Sequence, residues 1–229
     1  MNATQVLAKL KTLGTAQNRK VYARHGIGGP CHGVSYANLN ALKKQIKTDH
    51  PLAEALWQSG NHDARVLATM VADPAQTTAG QLDAWAKALD NHVLAGALAD
   101  LAAQSPQAHR QAKKWIGRKG EWQASAGWTV FAHLAMAADS PVTAQEWLAH
   151  LQTIEANIHQ SKNRVRYSMN NALIAIGLRS AALQKKAIAA AKRIGTVEVD
   201  HGETNCKTPD AAAYILKSAQ RKRPAAKRA

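Results

Sequence analysis

Aromatic residues are scarce in this chain, at 5% of the sequence with a single phenylalanine. No stretch alternates β-branched and polar residues for long enough to build a sheet, which excludes a β-sandwich or barrel and leaves helices to form the core. Nor is there a run of about 18 apolar residues, the least that crosses a bilayer as a helix, so no membrane span and no membrane partner are expected. The opening "MNATQVLAKLKTLGTAQ" lacks the charged-then-apolar layout of a secretory leader. Cysteine occurs only at Cys31 and Cys206, too few for a disulfide framework; two free thiols in a reducing, cytoplasmic setting are predicted. Acids are short as well. Fifteen Asp and Glu stand against thirty Lys and Arg, a formal charge of +15. Such an excess repels itself unless a polyanion offsets it, which points to nucleic acid.

The charge is also unevenly placed. The last nine residues, "RKRPAAKRA", hold five of the basic side chains and no acid, and the body still carries the rest. From Lys162 to Arg193 there are eight basic residues without one acid, Arg164, Arg166 and Arg179 among them. A second cluster, "HRQAKKWIGRK", places Arg110, Lys113, Lys114, Arg118 and Lys119 around Trp115. Two basic clusters on helices suit a surface that tracks a phosphate backbone, because each neutralised phosphate releases condensed counterions. A solvated cationic face with no ligand is the alternative.

Between these clusters, helix start and stop signals recur: Ser35 before "YANLNALKKQIK", Asp49-His50-Pro51 before "LAEALWQS", Asn61 before "HDARVLATMVA" and Asp90-Asn91 before "HVLAGALADLAAQ". Thr4 and Thr208 are read as caps of the first and last helices. The result is roughly a dozen helices of about 10 to 18 residues with short connections. Breaks near Gly60, Ser105 and Ser140 fit helix pairs repeating every ~40 to 47 residues, the period of HEAT-like solenoids. The expected fold is therefore all-α, a HEAT-like helical-repeat superhelix with a concave basic groove. One domain is expected over residues 1–218, with a basic, disordered tail over 219–229.

Two blocks carry a resemblance: "RHGI" with "HGVSYANLNALKKQIKTDHPLAEALWQSGNHDARVLATMVADP", and "IGTVEVDHGETNCKTPDAAAYILK". They resemble signature blocks of the DNA alkylation repair family, which is similar to the AlkD-type DNA glycosylases. The resemblance implies a helical-repeat protein that holds double-stranded DNA and hydrolyses the N-glycosidic bond of N-alkylated purines, without metal or other cofactor. A carboxylate beside the sugar would stabilise the positive charge that develops there and position water. The family's aromatic and Asp positions match His92 and Gly96, and its Arg position falls at or near Ser125. Both the expected Asp and the expected Arg are thus missing. Asp90, one helical turn away in register, is the alternative carboxylate, or an ordinary residue beside a helix cap. A non-catalytic binder of DNA structure that has lost the Asp is the second reading, and a protein-interaction scaffold the third.

DNA contacts are expected from His92, from Lys113, Lys114 and Arg118, from Trp122 and Trp128 by stacking, from Arg164, Arg166 and Tyr167, and from Lys207. Trp85 and Trp115 are open to stacking as well, whereas Trp57 and Trp147 read as core. Arg65 is read as a structural partner of Asp63 or Asp73, with His62 or Arg65 at DNA as the other option. In "EVDHGETNCKTPDA", His201 and Cys206 are badly spaced for zinc, and a Cys206 nucleophile with His201 as its base has no evident use; an ordered loop is expected. The protein is expected to act as a cytoplasmic monomer, associated with the nucleoid when bound to DNA.

Overall fold

The computed structural model describes residues 1–222, and these are helical throughout apart from their connections. In chain order the helices are α1 (Ala3–Leu13), α2 (Ala16–Arg24), α3 (Tyr36–Ile46), α4 (His50–Gln58), α5 (His62–Val71), α6 (Ala79–Lys87) and α7 (His92–Gln104). Then follow α8 (Ala108–Ile116), α9 (Glu121–Met136), α10 (Ala144–Asn157), α11 (Asn163–Arg179), α12 (Ala181–Ile194) and α13 (Ala211–Lys222), with a 3-10 turn at Ile158–Gln160. The helices form two compact units, one of residues 1–111 with 201–205, the other of residues 112–200 with 206–222. Residues 219–222, placed in the tail on sequence grounds, continue α13; the rest of that tail lies outside the described residues.

Most helix starts lie where the sequence signals them. Ser35, Asp49, Asn61 and Asn91 each accept a backbone N–H three residues on, a contact worth about 1 kcal/mol of helix stability. The two ends of the chain differ from expectation. The first helix is capped by Asn2, in a reciprocal box with Gln5, rather than by Thr4. The last is capped by Asp210, whose Oδ1 accepts the Ala213 N–H at 2.8 Å, rather than by Thr208. Helix α2 carries no apolar periodicity, and none of its residues is buried; its start is fixed by Thr15, whose hydroxyl accepts the Asn18 N–H at 3.1 Å.

In the first unit, α5 packs against α1, α3, α4 and α7, and its side chains from Val66 to Thr69 are buried accordingly. Trp57 of α4 and Trp85 of α6 stack flat, 4.2 Å between centroids and 2° from parallel. Trp85 is therefore a core residue and not a stacking platform. The Arg65 guanidinium lies over Trp57, 5.4 Å from the ring centroid, and its Nε donates to the Trp57 carbonyl at 3.3 Å. The expected partnership with Asp63 or Asp73 is thus replaced by a cation–π contact, which removes the charge from water without requiring an acid.

In the second unit, α9 packs on α11, and α11 in turn on α10, α12 and α13. Helix α9 is buried from Ala124 to Val130 except at Thr129, so its middle is enclosed on nearly all sides. Its C-terminal carbonyls are taken by Arg179, whose Nη1 donates to Ala135 at 3.0 Å and Ala137 at 2.6 Å. Close approach of α9 to the end of α8 depends on Gly127: a Cβ there would stand 2.6 Å from the backbone nitrogen of Ile116. At Gly96 on α7, a Cβ would meet nothing within 4 Å. Opposite outcomes are expected from the same chemical change, read by denaturant unfolding. Gly127→Ala should destabilise by about 1–3 kcal/mol through overpacking, whereas Gly96→Ala should stabilise by roughly 0.5–1 kcal/mol through helix propensity. A stabilising Gly127→Ala would refute the close approach.

Candidate nucleic-acid interface

The first turn of α5 organises its surroundings. Asp63 is fully buried, and its carboxylate accepts three backbone N–H groups, from His32 at 2.6 Å, Gly33 at 3.2 Å and Val34 at 2.9 Å. Hydrogen bonds to an ionised acceptor are about twice as strong as neutral ones, so this one side chain fixes the segment before α3. The Tyr22 hydroxyl donates to the Val34 carbonyl on the same segment. Edge-on to the Tyr22 ring, at 5.5 Å, lies the buried imidazole of His62. Its Nδ1 is 3.4 Å from the Nδ2 of Asn91, the residue whose Oδ1 accepts the Leu94 N–H and starts α7. A buried polar chain thus runs from α5 to the start of α7.

Burial pushes the His62 imidazole below its ordinary pKa, with Arg65 acting in the same direction and Asp63 and Asp90 opposing. Desolvation, reinforced by Asp63, raises the Tyr22 phenol and the Cys31 thiol. His62 is therefore a neutral structural group, enclosed rather than presented to a ligand.

On α7, His92 and Gly96 are one turn apart and share a face. Both are half-buried, and the His92 ring lies 5.9 Å from that of His25. The position that the resemblance assigns to a carboxylate is thus open space. Asp90 stands outside the helix, exposed, with Oδ1 accepting from Asn91 Nδ2 at 2.7 Å.

The second unit holds the basic candidates. Ser125, at the position matched to the family Arg, is buried. Its hydroxyl shares a 2.7 Å hydrogen bond with Ser168, joining α9 to α11 where a long cationic side chain has no room. Trp128, expected to stack on a base, is 3% exposed and packs edge-on to Phe131 and His150. Trp115 is 1% exposed; of the four tryptophans considered for stacking, Trp122 alone is half-exposed. A helix made of Ala, Ser, Trp and Val signals burial, and proximity to basic residues in sequence did not outweigh it.

The charged candidates divide. Lys113 is ion-paired with Glu146 at 3.1 Å, and Lys114 is exposed on the same last turn of α8. Arg118 lines a cleft together with Lys162 of the other cluster. Arg164 and Tyr167 are half-buried on α11, and the Arg164 N–H donates to the Glu121 carboxylate at 2.7 Å. Arg166 shares its helical face with Asn163 and Asn170, and its Nε is buried without a hydrogen bond. Asn163 bonds the backbone of Asp200 twice, at 2.7 and 2.8 Å, and Asn170 donates to the Pro209 carbonyl at 2.9 Å. These asparagines, unremarked in the sequence, anchor both ends of the loop that carries Lys207, which is exposed. Within it, Thr204 hydrogen-bonds His201 and Gly202 takes a φ of +65°. The loop is ordered, Cys206 is exposed, and among the described residues no three His, Cys, Asp or Glu side chains gather as a metal would need.

The His62 environment yields a pH prediction. Because the folded protein binds a proton here less readily than the unfolded chain, stability from this group is present above the ordinary value of 6.5 and is lost as pH falls below it. Unfolding midpoints of wild type and His62→Gln, compared from pH 7.5 to 5.5, should converge as the pH drops. Parallel curves would show that His62 titrates alike in both states.

Among the described residues, no helix is long and apolar enough to cross a membrane. Residues 6–215 match the family of DNA alkylation repair enzymes. Lin0241 of Listeria innocua and Lmo0209 of Listeria monocytogenes are each 30% identical to this chain over 224 residues, covering 95% of it and 97% of each relative. A solved structure from a new family related to the HEAT-like repeat DNA glycosylases, with affinity for branched DNA structures, superposes with a TM-score of 0.87. It is 29% identical and covers 96% of this chain and 95% of its own. With the match spanning nearly the whole folded body, and the all-helical fold agreeing with it, the chain belongs to the DNA alkylation repair enzyme family and has the HEAT-like repeat fold.

Proposed function

We propose that this protein binds double-stranded DNA through its phosphate backbone, as a monomer, and recognises DNA structure without breaking the N-glycosidic bond. The observation that carries this reading is Gly96: the face of α7 that should present a carboxylate presents open space beside His92. Burial of Ser125 at the matched Arg position agrees with it. What remains for function is charge, and +15 over the chain favours a polyanionic partner. The relative with affinity for branched DNA structures supports the same direction.

A glycosylase acting on N-alkylated purines is the second reading. It draws on Asp90, an exposed carboxylate two residues before His92, which could stand beside a sugar. Such an enzyme would be monofunctional and would leave an abasic site.

Two measurements test the pair. Binding to a plain duplex should fall about a thousandfold between roughly 50 and 200 mM salt if ~6 phosphates are contacted; salt-independent binding would refute backbone tracking. Duplex carrying methylated purines, incubated with the protein in EDTA, should release no free base. Release that disappears in Asp90→Asn, with binding retained, would overturn the non-catalytic reading and assign Asp90 as the catalytic carboxylate.

A further inference from the structure

The second unit contains a cleft of about 290 Å³ between the α8–α9 connection, the end of α10 and the start of α11. That volume is close to the lower bound of roughly 300 Å³ for small-ligand sites. Its floor is apolar, made by Ile116, Ala124, Trp128, Val165 and Met169, and its rim is cationic, with Arg118, Lys119 and Lys162. No acid lines it. Some cations of this unit are taken up by partners, Lys113 by Glu146, Arg193 by Glu155 and Arg179 by the carbonyls ending α9. The three at the rim are exposed, and their side chains make no ion pair among the described residues.

Anionic and apolar demands at one small site describe a nucleotide, with phosphate at the rim and base against the floor. Two polar side chains supply direction. Asn157 uses its Nδ2 on the Thr153 carbonyl at 2.9 Å, which leaves Oδ1 as an acceptor, and the exposed Gln160 amide makes no hydrogen bond among the described residues. Such amides read base edges. A base paired in a duplex must first be unstacked, which costs a few kcal/mol, whereas a base already unpaired enters without that cost.

We infer that this cleft receives one unpaired nucleotide of a DNA strand, so that the protein prefers DNA with an interrupted duplex. The inference rests on the reading that the protein binds DNA. It assigns Lys119, Lys162, Asn157 and Gln160 a role that neither basic cluster alone suggested, and it gives Trp128 the part of a floor rather than of an exposed stacking platform.

The test uses the full chain and fluorescence anisotropy with two duplexes of one sequence, the second carrying a single unpaired nucleotide. Wild type should bind the bulged duplex about tenfold more tightly, the scale of one base contact. Thr153→Trp on the exposed side of α10 fills the cleft without changing charge; it should abolish that preference and leave plain-duplex binding unchanged. Gln160→Trp, also exposed, serves as a second occluding variant, with thermal unfolding as the check on folding for both. Equal affinity of wild type for the two duplexes, or a preference that survives both variants, would overturn the assignment while leaving DNA binding intact. Absence of binding to either duplex would overturn the DNA-binding reading itself. Binding of deoxyadenosine monophosphate that is sensitive to Thr153→Trp, with no preference between duplexes, would assign the cleft to a free nucleotide and overturn the strand assignment.

Discussion

The carboxylate of Asp63, removed from water and held by three backbone N–H groups, is the contact on which the order of the first unit depends. A buried anion is unfavourable unless hydrogen bonds replace its hydration, and here they come from a segment that has no secondary structure of its own. The arrangement works in both directions. The segment satisfies the carboxylate, and the carboxylate fixes the segment, on which Tyr22 then seats its hydroxyl. Because Asp63 lies in the first turn of α5, it shares the helix start with His62, which reaches the Asn91 cap of α7. The face bearing His92 and Gly96 is therefore set by a chain of polar contacts beginning one residue from Asp63. Function at that face, whatever its chemistry, inherits its position from this buried network.

Charge is organised by a different rule in the second unit. A cation can be consumed by the fold, as Arg179 is at the end of α9, neutralised on the surface, as Lys113 and Arg193 are, or left without a partner, as around the cleft. Only the last kind is available at full strength to a polyanion. A surface pair contributes little to stability and is screened by salt, so pairing Lys113 with Glu146 weakens the local field more than it strengthens the fold. Total charge points to the class of partner, and at the cleft unpaired charge stands beside apolar surface.

Much of the fold was legible because it is written in local signals. Asn61 and Asn91 announce helices α5 and α7, and the caps formed as read. Helix α2 was not legible, since "AQNRKVYAR" buries nothing and has no apolar stripe; its order comes from Thr15 and from tertiary contacts. Site residues were read less well, for a physical reason. Sequence shows what a side chain is, and only packing shows what it touches. Arg65 found Trp57 instead of an acid, and Trp128 went into the core because it lies in the buried middle of its helix. The absent carboxylate at Gly96 and the absent Arg at Ser125 were visible in the sequence. That one position is open and the other sealed was visible only in the structure. Arg118 and Lys162, 44 positions apart in the chain, join one cleft through the closeness of α9 and α11.

The burial of the middle of α9 also governs how the second unit opens. Exposing the stretch from Ala124 to Phe131, where all but Thr129 is buried, would bring mostly apolar surface into water. Its amides therefore exchange with solvent only when α11 leaves it, and α11 also supports α12 and α13. Opening becomes a single cooperative event for these helices rather than a fraying from one end. During synthesis the same feature imposes an order: α9 emerges well before α11, and until the later helix arrives the earlier one is a hydrophobic segment without its partner, the kind that chaperones hold.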